Sequence, residues 1–347
     1  MPLPIQMFGT VESIGEQLDA MFCRDVDQPD MAMIQWGGSQ AQGAAGVLMQ
    51  ITPIGKDHFR LSPRTFYKTD AGGGLYAPQK LENYDQFIQL TAEVRLQKNV
   101  LTGSWGAAGR TGGRIKFSLN SKLPKVKARK LKNWAEFKTW ANRMREEGDF
   151  VDFRGHGCSS FILSSAFHRA GRARTERFCY ETIVQFQGHA ESVLDHRFDR
   201  ASPADFSVAL GLAQHHGLPT PLLDWSASPY VAAFFAFSDA IENATARPKC
   251  THVRVYALSK AVSLTATERA TLTCPTRYAT YMNIATWKNP RLLAQQGRFL
   301  LTNVADLEGF LCDVQKKAGI NLLTAVDVPV SCAADALEDL QLSLIHI

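Results

Sequence analysis

The segment AQHHGLPTPLLDWSASPYVAAFFAF, residues 213–237, restricts the fold of this chain more than any other stretch. Its LPTPLLDW part indicates a rigid approach to a short apolar strand that ends at Asp224 and Trp225. Ser228 is suited to be an N-cap and Pro229 a first helical residue, so YVAAFFAF should continue as a helix. Because a helix N-terminus offers free N–H groups and a favourable dipole to an anion, this strand, polar turn and helix predict a ligand site.

A second helix should precede this strand. In SPADFSVALGLAQHHG, Ser202 is the predicted N-cap, Pro203 lies in the first turn, and Gly217 can end the helix in the left-handed conformation. His215 and His216 then fall on the last turn, where the helix dipole favours a protonated imidazole. His215 is a candidate catalytic residue, and the alternative is a histidine that only caps the helix or packs in the core.

A short strand is also expected at GDFVDFRGHG, residues 148–157. Aromatic and aliphatic residues alternate with Asp from Phe150 to Phe153, which predicts a strand that ends at Arg154 and Gly155 before a sharp turn. Arg154 would meet an anion there, with Gly155 beside it. The alternative is that Arg154 only forms a salt bridge to Asp224.

The first third of the chain has a different character. Residues 31–121 are rich in Gly and Thr, with short alternating runs separated by the turn signals AGGG, TGSWG and GRTGG. This pattern predicts a small antiparallel β domain over residues 1–121, closed by a glycine-rich hairpin at 101–120.

A basic stretch follows, and we assign residues 122–149 to a linker and a helix. The helix is indicated by an apolar stripe at helical spacing, formed by Trp134, Phe137, Trp140, Ala141 and Met144. Lysines and arginines within residues 122–132, next to these tryptophans, also permit binding of single-stranded nucleic acid by charge and stacking. A solvated linker before a core-facing helix is the more ordinary interpretation.

Beyond residue 150 the predicted strands alternate irregularly with helices, which indicates a mixed α+β domain over residues 150–341. The chain of 347 residues, 45% of them apolar, is long enough for two cores. A net charge of +5 is mild and only permits an anionic ligand. The fold class expected is therefore α+β, with a small antiparallel β domain first.

Seven scattered cysteines without a CxxC pair argue against a disulfide framework or a zinc site, and we predict no metal. Cys158 could be a nucleophile only if a histidine faces it. The chain shows no signal-peptide pattern and no window long enough for a membrane span, so we expect a cytoplasmic protein that does not bind membranes. The last six residues, LSLIHI, match an in-frame sequencing adapter, so we expect 342–347 to be read-through.

Three motifs occur in the order found in the FRG domain family: FRGH at 153–156, the segment 213–237 and NPRLLAQQGRFLL at 289–301. The chain resembles that family over about residues 131–330. One departure is Pro221, since the family usually has Arg at this position of PTRLLDW.

The FRG domain is in turn similar in plan to ADP-ribosyltransferases. Those enzymes arrange three elements around NAD: an Arg or His at the end of a first strand, a Ser/Thr-rich strand–turn–helix, and a Glu or Gln before a later strand. This similarity implies that Arg154 binds the pyrophosphate or a ribose hydroxyl of NAD. It implies that Ser226 and Ser228 support the nicotinamide pocket. It also implies that Gln296, beside Gln295, holds the nicotinamide ribose.

The same resemblance implies that Trp225 or Tyr230 stacks on a ring of the ligand. A neutral Gln stabilises an oxocarbenium-like centre less than a carboxylate does, so Asp224 or Glu181 would supply the negative charge. In the plainer alternative, the Ser-x-Ser-Pro sequence only caps a helix and the two glutamines only join a helix to a strand.

Three functions stay open on these grounds. The first is an NAD-dependent ADP-ribosyltransferase-like effector, in defence against phage or in a toxin system, that modifies a macromolecular acceptor. The second is a nucleic-acid-binding protein whose phosphate contacts come from Arg154, Arg291, Arg298 and residues 122–132. The third is a catalytically inert module that senses a nucleotide. Nicotinamide release, salt-dependent binding of nucleic acid, or nucleotide binding without turnover would distinguish them.

Overall fold

A computed structural model describes residues 3–39, 42–80, 82, 84–107, 110–119, 123–199, 202–265, 271–282, 284 and 297–343. The strands belong to two sheets, one from the first third of the chain and one from the remainder. The molecule is therefore an α+β protein with a strand-rich N-terminal part and a mixed C-terminal region, and the predicted fold class is confirmed.

Nine antiparallel strands form the N-terminal sheet: β1 (Gln6–Ser13), β2 (Glu16–Asp25), β3 (Gln28–Trp36), β4 (Ala45–Gly55), β5 (His58–Thr69), β6 (Leu75–Tyr76), β7 (Thr91–Gln97), β8 (Val100–Ala107) and β9 (Arg110–Ser118). Successive strands pair except β6 and β7, since β7 pairs with β5 instead, and β9 pairs back with β1. Eight strands thus close on themselves, with β6 beside β5, and we call this the closed sheet. The β8–β9 pair confirms the predicted hairpin.

Alternate side chains along these strands point into the closed sheet and form its core. Phe22 and Phe117 are fully buried there, with ring centroids 6.1 Å apart. The β7–β8 hairpin turns at Lys98 and Asn99, whose φ angles of 47° and 67° are those that a two-residue type I′ turn needs.

Seven strands form the second sheet: β10 (Arg129–Lys130), β11 (Phe150–His156), β12 (Leu222–Ser226), β13 (His252–Ser259), β14 (Ala279–Met282), β15 (Gly297–Thr302) and β16 (Leu323–Pro329). Their order is β10-β16-β13-β11-β12-β15-β14. The β10–β16 pair is parallel, and the other pairs are antiparallel.

The α-helices are α1 (Tyr84–Phe87), α2 (Trp134–Glu147), α3 (Ala166–Arg169), α4 (Thr175–Arg177), α5 (Ile183–Glu191), α6 (Pro203–His215), α7 (Pro229–Glu242), α8 (Leu307–Ala318) and α9 (Ala333–Ser343). A π-helical turn, Phe178–Thr182, joins α4 to α5, and 3₁₀ turns span Lys260–Thr265 and Val330–Cys332. In the described part of the chain, no helix has the length and apolarity needed to cross a membrane.

Helices cover both faces of the second sheet. Helices α2, α7 and α9 pack on one face and α8 on the other, so the neighbours Val255 and Tyr256 on β13 are both buried. The core on the first face takes in the apolar stripe of α2 that its spacing predicts, namely Trp134, Phe137, Trp140, Ala141 and Met144. The two tryptophans are 6% and 7% exposed, so they offer no surface on which a nucleic-acid base could stack.

The predicted end of strand β11 is wrong. The strand continues through Arg154 and Gly155 to His156, because it stays paired with β13 as far as the His156–Arg254 pair. Gly155 is needed for packing and not for a turn. A Cβ at this position would lie 1.9 Å from the carbonyl oxygen of Ala232 on α7.

A buried carboxylate joins the closed sheet to the second region of the chain. Asp25, at the end of β2, accepts hydrogen bonds from the backbone N–H groups of Ala173 and Arg174 at 2.8 and 3.0 Å. Its other oxygen lies 3.0 Å from the guanidinium of Arg177. The two backbone partners of Asp25 come shortly after α3, and Arg177 is the last residue of α4.

Candidate ligand-binding cleft

A cleft of about 1040 Å³ opens between β11 and β12, which share the residue pair Phe153–Ser226. One wall is the inner side of α7, and the other is the segment 160–169, which ends with α3. Residues of the FRGH and LLDWS motifs form its floor. The predicted strand–turn–helix and the predicted anion-facing strand therefore meet in one cavity, lined by Arg154, Gly155, His156, Phe161, His168, Arg169, Asp224, Trp225, Ser226, Phe235, Asp239, Arg247 and Asp306 among others.

The helices around this cleft begin at the residues that the sequence predicts. Ser228 accepts a hydrogen bond from Val231 N at 3.4 Å and caps α7, with Pro229 as its first residue. Ser202 caps α6 in the same way, and Gly217 follows the helix with a φ of 81°. Local hydrogen bonding by Ser and a fixed φ at Pro explain why these positions were readable from sequence alone.

Arg154 reaches across the gap between the two strands. Its guanidinium donates a hydrogen bond to the backbone carbonyl of Asp224, and its Nε is buried with no hydrogen-bond partner among the described residues. Burial lowers the pKa of Arg154 from its ordinary value, Asp224 raises it, and the positive charge of Arg169 lowers it further. No ion pair between Arg154 and the Asp224 carboxylate is formed in the described structure, so the salt-bridge alternative does not account for this residue.

The carboxylate of Asp224 is held by a chain of side chains that the sequence reasoning missed. Thr220, which is fully buried, donates to Gln214 Oε1, and Gln214 Nε2 donates to Asp224 Oδ1. These three residues come from the AQHHG, LPTP and LLDW parts of one motif. Their spacing could have indicated this contact, because all three lie within eleven residues and the turn after α6 brings them together.

Two buried histidines line the cleft. His156 packs its ring against Tyr256 at 5.3 Å, and its pKa is lowered to about 3 by burial and then by the charges of Arg154, Arg169 and Arg254, while the backbone of Phe161 raises it. Its Nδ1 has no hydrogen-bond partner among the described residues. The imidazole of His156 is therefore neutral at pH 7.

His168 is the second buried histidine, and the sequence analysis did not single it out. Its Nδ1 lies 2.7 Å from Ser165 Oγ, and burial lowers its pKa to about 3, against a raising contribution from the Asn303 backbone. Ser165 is the N-cap of α3, so this contact fixes the start of the wall helix. Neither imidazole carries a charge that would compete with the arginines for an anion.

Charge in the cleft is uneven. Arg247 forms a 2.6 Å ion pair with Asp239, and Asp306 pairs with Lys125 at 2.7 Å. Arg154 and Arg169 form no ion pair within the described ranges. Each donates one N–H group to a backbone carbonyl, that of Asp224 and that of Ser164 respectively. Two guanidinium groups therefore line the cleft outside an ion pair, beside the single carboxylate of Asp224, and this excess of positive charge favours an anionic ligand.

Trp225 adds a further donor. Its side chain is 3% exposed, lines the cleft, and holds a buried Nε1–H that has no hydrogen-bond partner in the part of the chain described. Ser226 is also buried and lines the cleft, and its Oγ accepts from Ser228 N at 3.1 Å. Because an indole N–H can only donate, a ligand acceptor is a chemically suitable partner for it.

Other predicted site residues lie away from the cleft. Tyr230 donates to Asn142 Oδ1 at 3.1 Å and packs on the aromatic rings of α2. Arg298 lies 3.3 Å from the buried carboxylate of Asp152, whose pKa is raised by burial. His215 is exposed, with its ring 5.2 Å from that of His216.

Several predicted residues fall elsewhere. Ser228 caps α7 and does not line the cleft. Gln295, Gln296 and Arg291 lie outside the described residues. Glu181 is exposed and pairs with Arg177 at 3.4 Å. Among the described residues, no three or more His, Cys, Asp or Glu side chains are grouped so as to hold a metal ion.

A disulfide closes the far end of β11, contrary to the expectation drawn from cysteine spacing. Cys158 is bonded to Cys250, 92 residues along the chain, with the two Cα atoms 5.3 Å apart. A bonded sulfur is not a nucleophile, so the interpretation of Cys158 as a catalytic residue is wrong. Sequence spacing could not show the pair, because β11 and β13 are adjacent in the sheet but distant in the chain. The remaining cysteines are free: Cys23, Cys179, Cys274, Cys312 and Cys332.

The described residues thus define a mixed α+β domain with a basic cleft at the divergence of two antiparallel strands. Residues 150–245 match the family model of the FRG domain, so the chain contains an FRG domain. The match begins with β11 and ends just after α7, which covers both strands that frame the cleft. No curated protein matches the chain.

Proposed function

We propose that the cleft of the FRG domain binds a phosphate-bearing nucleotide, and that the domain acts on NAD as an ADP-ribosyltransferase-like enzyme. The observation that carries this proposal is the pair Arg154 and Arg169, which line the cleft without an ion pair among the described residues. A volume of about 1040 Å³ is at the upper end of the range for small-molecule and cofactor sites.

The lining offers suitable partners for each part of a dinucleotide. Guanidinium groups bind phosphate oxygens through paired, charge-assisted hydrogen bonds, which is the role proposed for Arg154 and Arg169. Phe161, Phe235 and Trp225 provide apolar surface for a planar ring. The unpartnered indole N–H of Trp225 would donate to a ligand oxygen.

Transfer of ADP-ribose breaks the glycosidic bond to nicotinamide, which leaves as a neutral base while positive charge develops on the ribose. A carboxylate close to that charge lowers the barrier. Asp224, exposed at the cleft and held by Gln214, is the proposed carboxylate. The acceptor, a macromolecular nucleophile or water, forms the new bond to the same carbon and releases its proton, for which Asp224 is the candidate base. Gln296 keeps its predicted role at the nicotinamide ribose.

The test measures binding and turnover separately. Calorimetric titration of the purified chain with NAD gives the affinity, and nicotinamide release in cell lysate, including lysate from phage-infected cells, gives the turnover. Arg154→Ala should weaken NAD binding by about ten- to a hundredfold, the loss expected for charge-assisted hydrogen bonds. Asp224→Asn should keep the affinity within a few fold and lose nicotinamide release.

The matched control is Arg143→Ala. Arg143 is an exposed arginine on α2 that pairs with Glu147 at 2.7 Å and does not line the cleft. Its loss should change neither affinity nor turnover. NAD binding without nicotinamide release would leave a nucleotide-sensing module. An affinity unchanged by Arg154→Ala would contradict the proposed site itself.

A nucleic-acid function receives less support. Lys125 is held by Asp306 at 2.7 Å and lies 3.8 Å from Glu308, and the tryptophans that were to stack on bases are buried. Lys127, Arg129, Lys130 and Lys132 stay exposed. Binding of DNA or RNA whose affinity falls steeply with added salt would favour this alternative.

A further inference from the structure

We propose that the closed sheet is a second ligand-binding site, which takes one uncharged aromatic molecule at the end of its interior. A cavity of about 220 Å³ lies there, formed by side chains of β1, β3, β4, β5, β7, β8 and β9 and by Phe87 of α1. It is larger than the cavity of about 150 Å³ that binds benzene in an engineered lysozyme. A ligand with two fused rings is therefore the size class proposed.

The position of the cavity is a property of the whole closed sheet. At one end of the interior, large side chains such as Phe22 and Phe117 are fully buried and in contact. At the other end, the inward-facing positions include the small residue Ala92, and the aromatic residues Trp36 and Trp105 are only half-buried. The interior is thus filled at one end and open at the other, as in barrels of this size that hold one small ligand.

Aromatic side chains shape the walls. Phe66 lies with its ring centroid 5.7 Å from that of Phe87 and 6.4 Å from that of Trp36. Opposite, Trp105 is fixed because its indole N–H donates to the backbone carbonyl of Glu12 at 2.8 Å. Aromatic rings attract another ring in offset-stacked or edge-to-face contact, and walls that are already fixed lose little entropy on binding.

The chemistry of the lining excludes a charged ligand group inside. Ser13 and Thr91 are its polar residues, and no charged side chain lines the cavity in the described part of the chain. A buried carboxylate without a cationic partner would be costly, so a fatty acid fits this cavity less well than an uncharged ring system. The site is separate from the FRG domain cleft, and the two lining sets share no residue.

The test uses the complete chain and the neutral dye 1-N-phenylnaphthylamine, whose emission rises in an apolar site. We expect saturable binding of one dye per chain and displacement by naphthalene. Ala92→Leu fills the cavity from β7 and should weaken dye binding at least about tenfold. Val47→Phe, at a half-buried lining position on β4, should also weaken dye binding. This second variant keeps the test valid if the chain does not fold with a larger residue at Ala92.

The matched control is Thr102→Leu, which adds an apolar side chain on the exposed outer side of β8 and should leave binding unchanged. Circular dichroism and thermal unfolding establish that each variant is folded. Equal affinities in the folded cavity-filling variants and the control would overturn the site. Displacement of the dye by dodecanoate at lower concentration than by naphthalene would overturn the assignment to uncharged rings.

Discussion

At the scale of single residues, the positive character of the cleft comes from its arginines, because the two buried histidines beside them stay neutral. His156 lies among Arg154, Arg169 and Arg254, and burial together with these charges lowers its pKa to about 3. The unfolded chain takes up a proton at this residue below its ordinary value of 6.5, whereas the folded chain does not until about pH 3. The contribution of His156 to folding stability is therefore present above about pH 6.5 and decreases as the pH falls from there toward about 3.

The loss of stability at low pH leads to a measurable prediction for His156→Gln. Between pH 7 and pH 5, one such histidine removes about 2 kcal/mol of unfolding free energy, which follows from a proton bound by the unfolded chain alone. The loss measured by urea unfolding should be about 2 kcal/mol smaller in His156→Gln than in the native chain. His215→Gln, the same change in an exposed side chain of α6, should keep the native loss. Parallel behaviour of the two variants would contradict the burial of a neutral His156.

Individual site residues were predictable where the chain itself fixes them locally. Arg154 was assigned an anion-facing position from the short alternating run before it, and the structure places it in the cleft with Trp225 and Ser226. Tyr230 was assigned to the site through the family resemblance, and Arg298 was assigned to it as a phosphate contact. Their contacts, Asn142 and Asp152, come from other elements, and a single sequence does not show such contacts.

At the scale of elements, the packing of α7 on β11 sets the shape of the cleft. The two come so close at Gly155 that a Cβ would lie 1.9 Å from the carbonyl oxygen of Ala232. Backbone at this distance cannot move aside as a flexible side chain does, so the helix or the strand must shift. Ala232 and Phe235 of the same helix line the cleft, and such a shift would change the site as well.

The same Gly→Ala substitution at two positions tests this packing, because it should change the free energy of unfolding in opposite directions. Gly155→Ala should destabilise the protein by about 3 kcal/mol or more, within the range for large steric conflicts in a core. Gly188→Ala, at an exposed position within α5 where a Cβ would meet nothing within 4 Å, should stabilise it by about 0.5–1 kcal/mol. Thermal unfolding of both variants gives the two shifts in Tm. A Gly155→Ala protein as stable as the native chain would show that α7 does not pack this closely.

The sequence predicted the type of each of these elements better than it predicted where an element ends or which element lies beside it. The apolar stripe of α2 and the proline-started helices α6 and α7 were predicted because periodicity and caps act over a few residues. The end of β11 was misplaced because its last pairs depend on β13, about a hundred residues later in the chain. The disulfide between Cys158 and Cys250 escaped prediction for the same reason.

At the scale of the whole molecule, the closed sheet and the FRG domain region are joined through buried polar groups. Asp25 accepts from two backbone N–H groups after α3 and from Arg177, while the adjacent Arg174–Glu176 ion pair at 2.6 Å is only 3% and 2% exposed. Buried charges are tolerated only when they are paired and hydrogen-bonded. This junction therefore couples the two parts through buried polar contacts, although the sequence suggested only two successive domains.

The junction makes a prediction about cooperativity. Asp25→Ala removes three hydrogen bonds and leaves Arg177 with a weaker set of partners, which should cost about 3–5 kcal/mol of unfolding free energy. Because the loss falls on the junction and not on either core, we expect one thermal transition for the native chain and two for Asp25→Ala. Asp30→Ala, the same substitution at an exposed position on β3, should keep one transition. Differential scanning calorimetry distinguishes these outcomes, and one transition at the native Tm in Asp25→Ala would show that the two parts are coupled by apolar contacts instead.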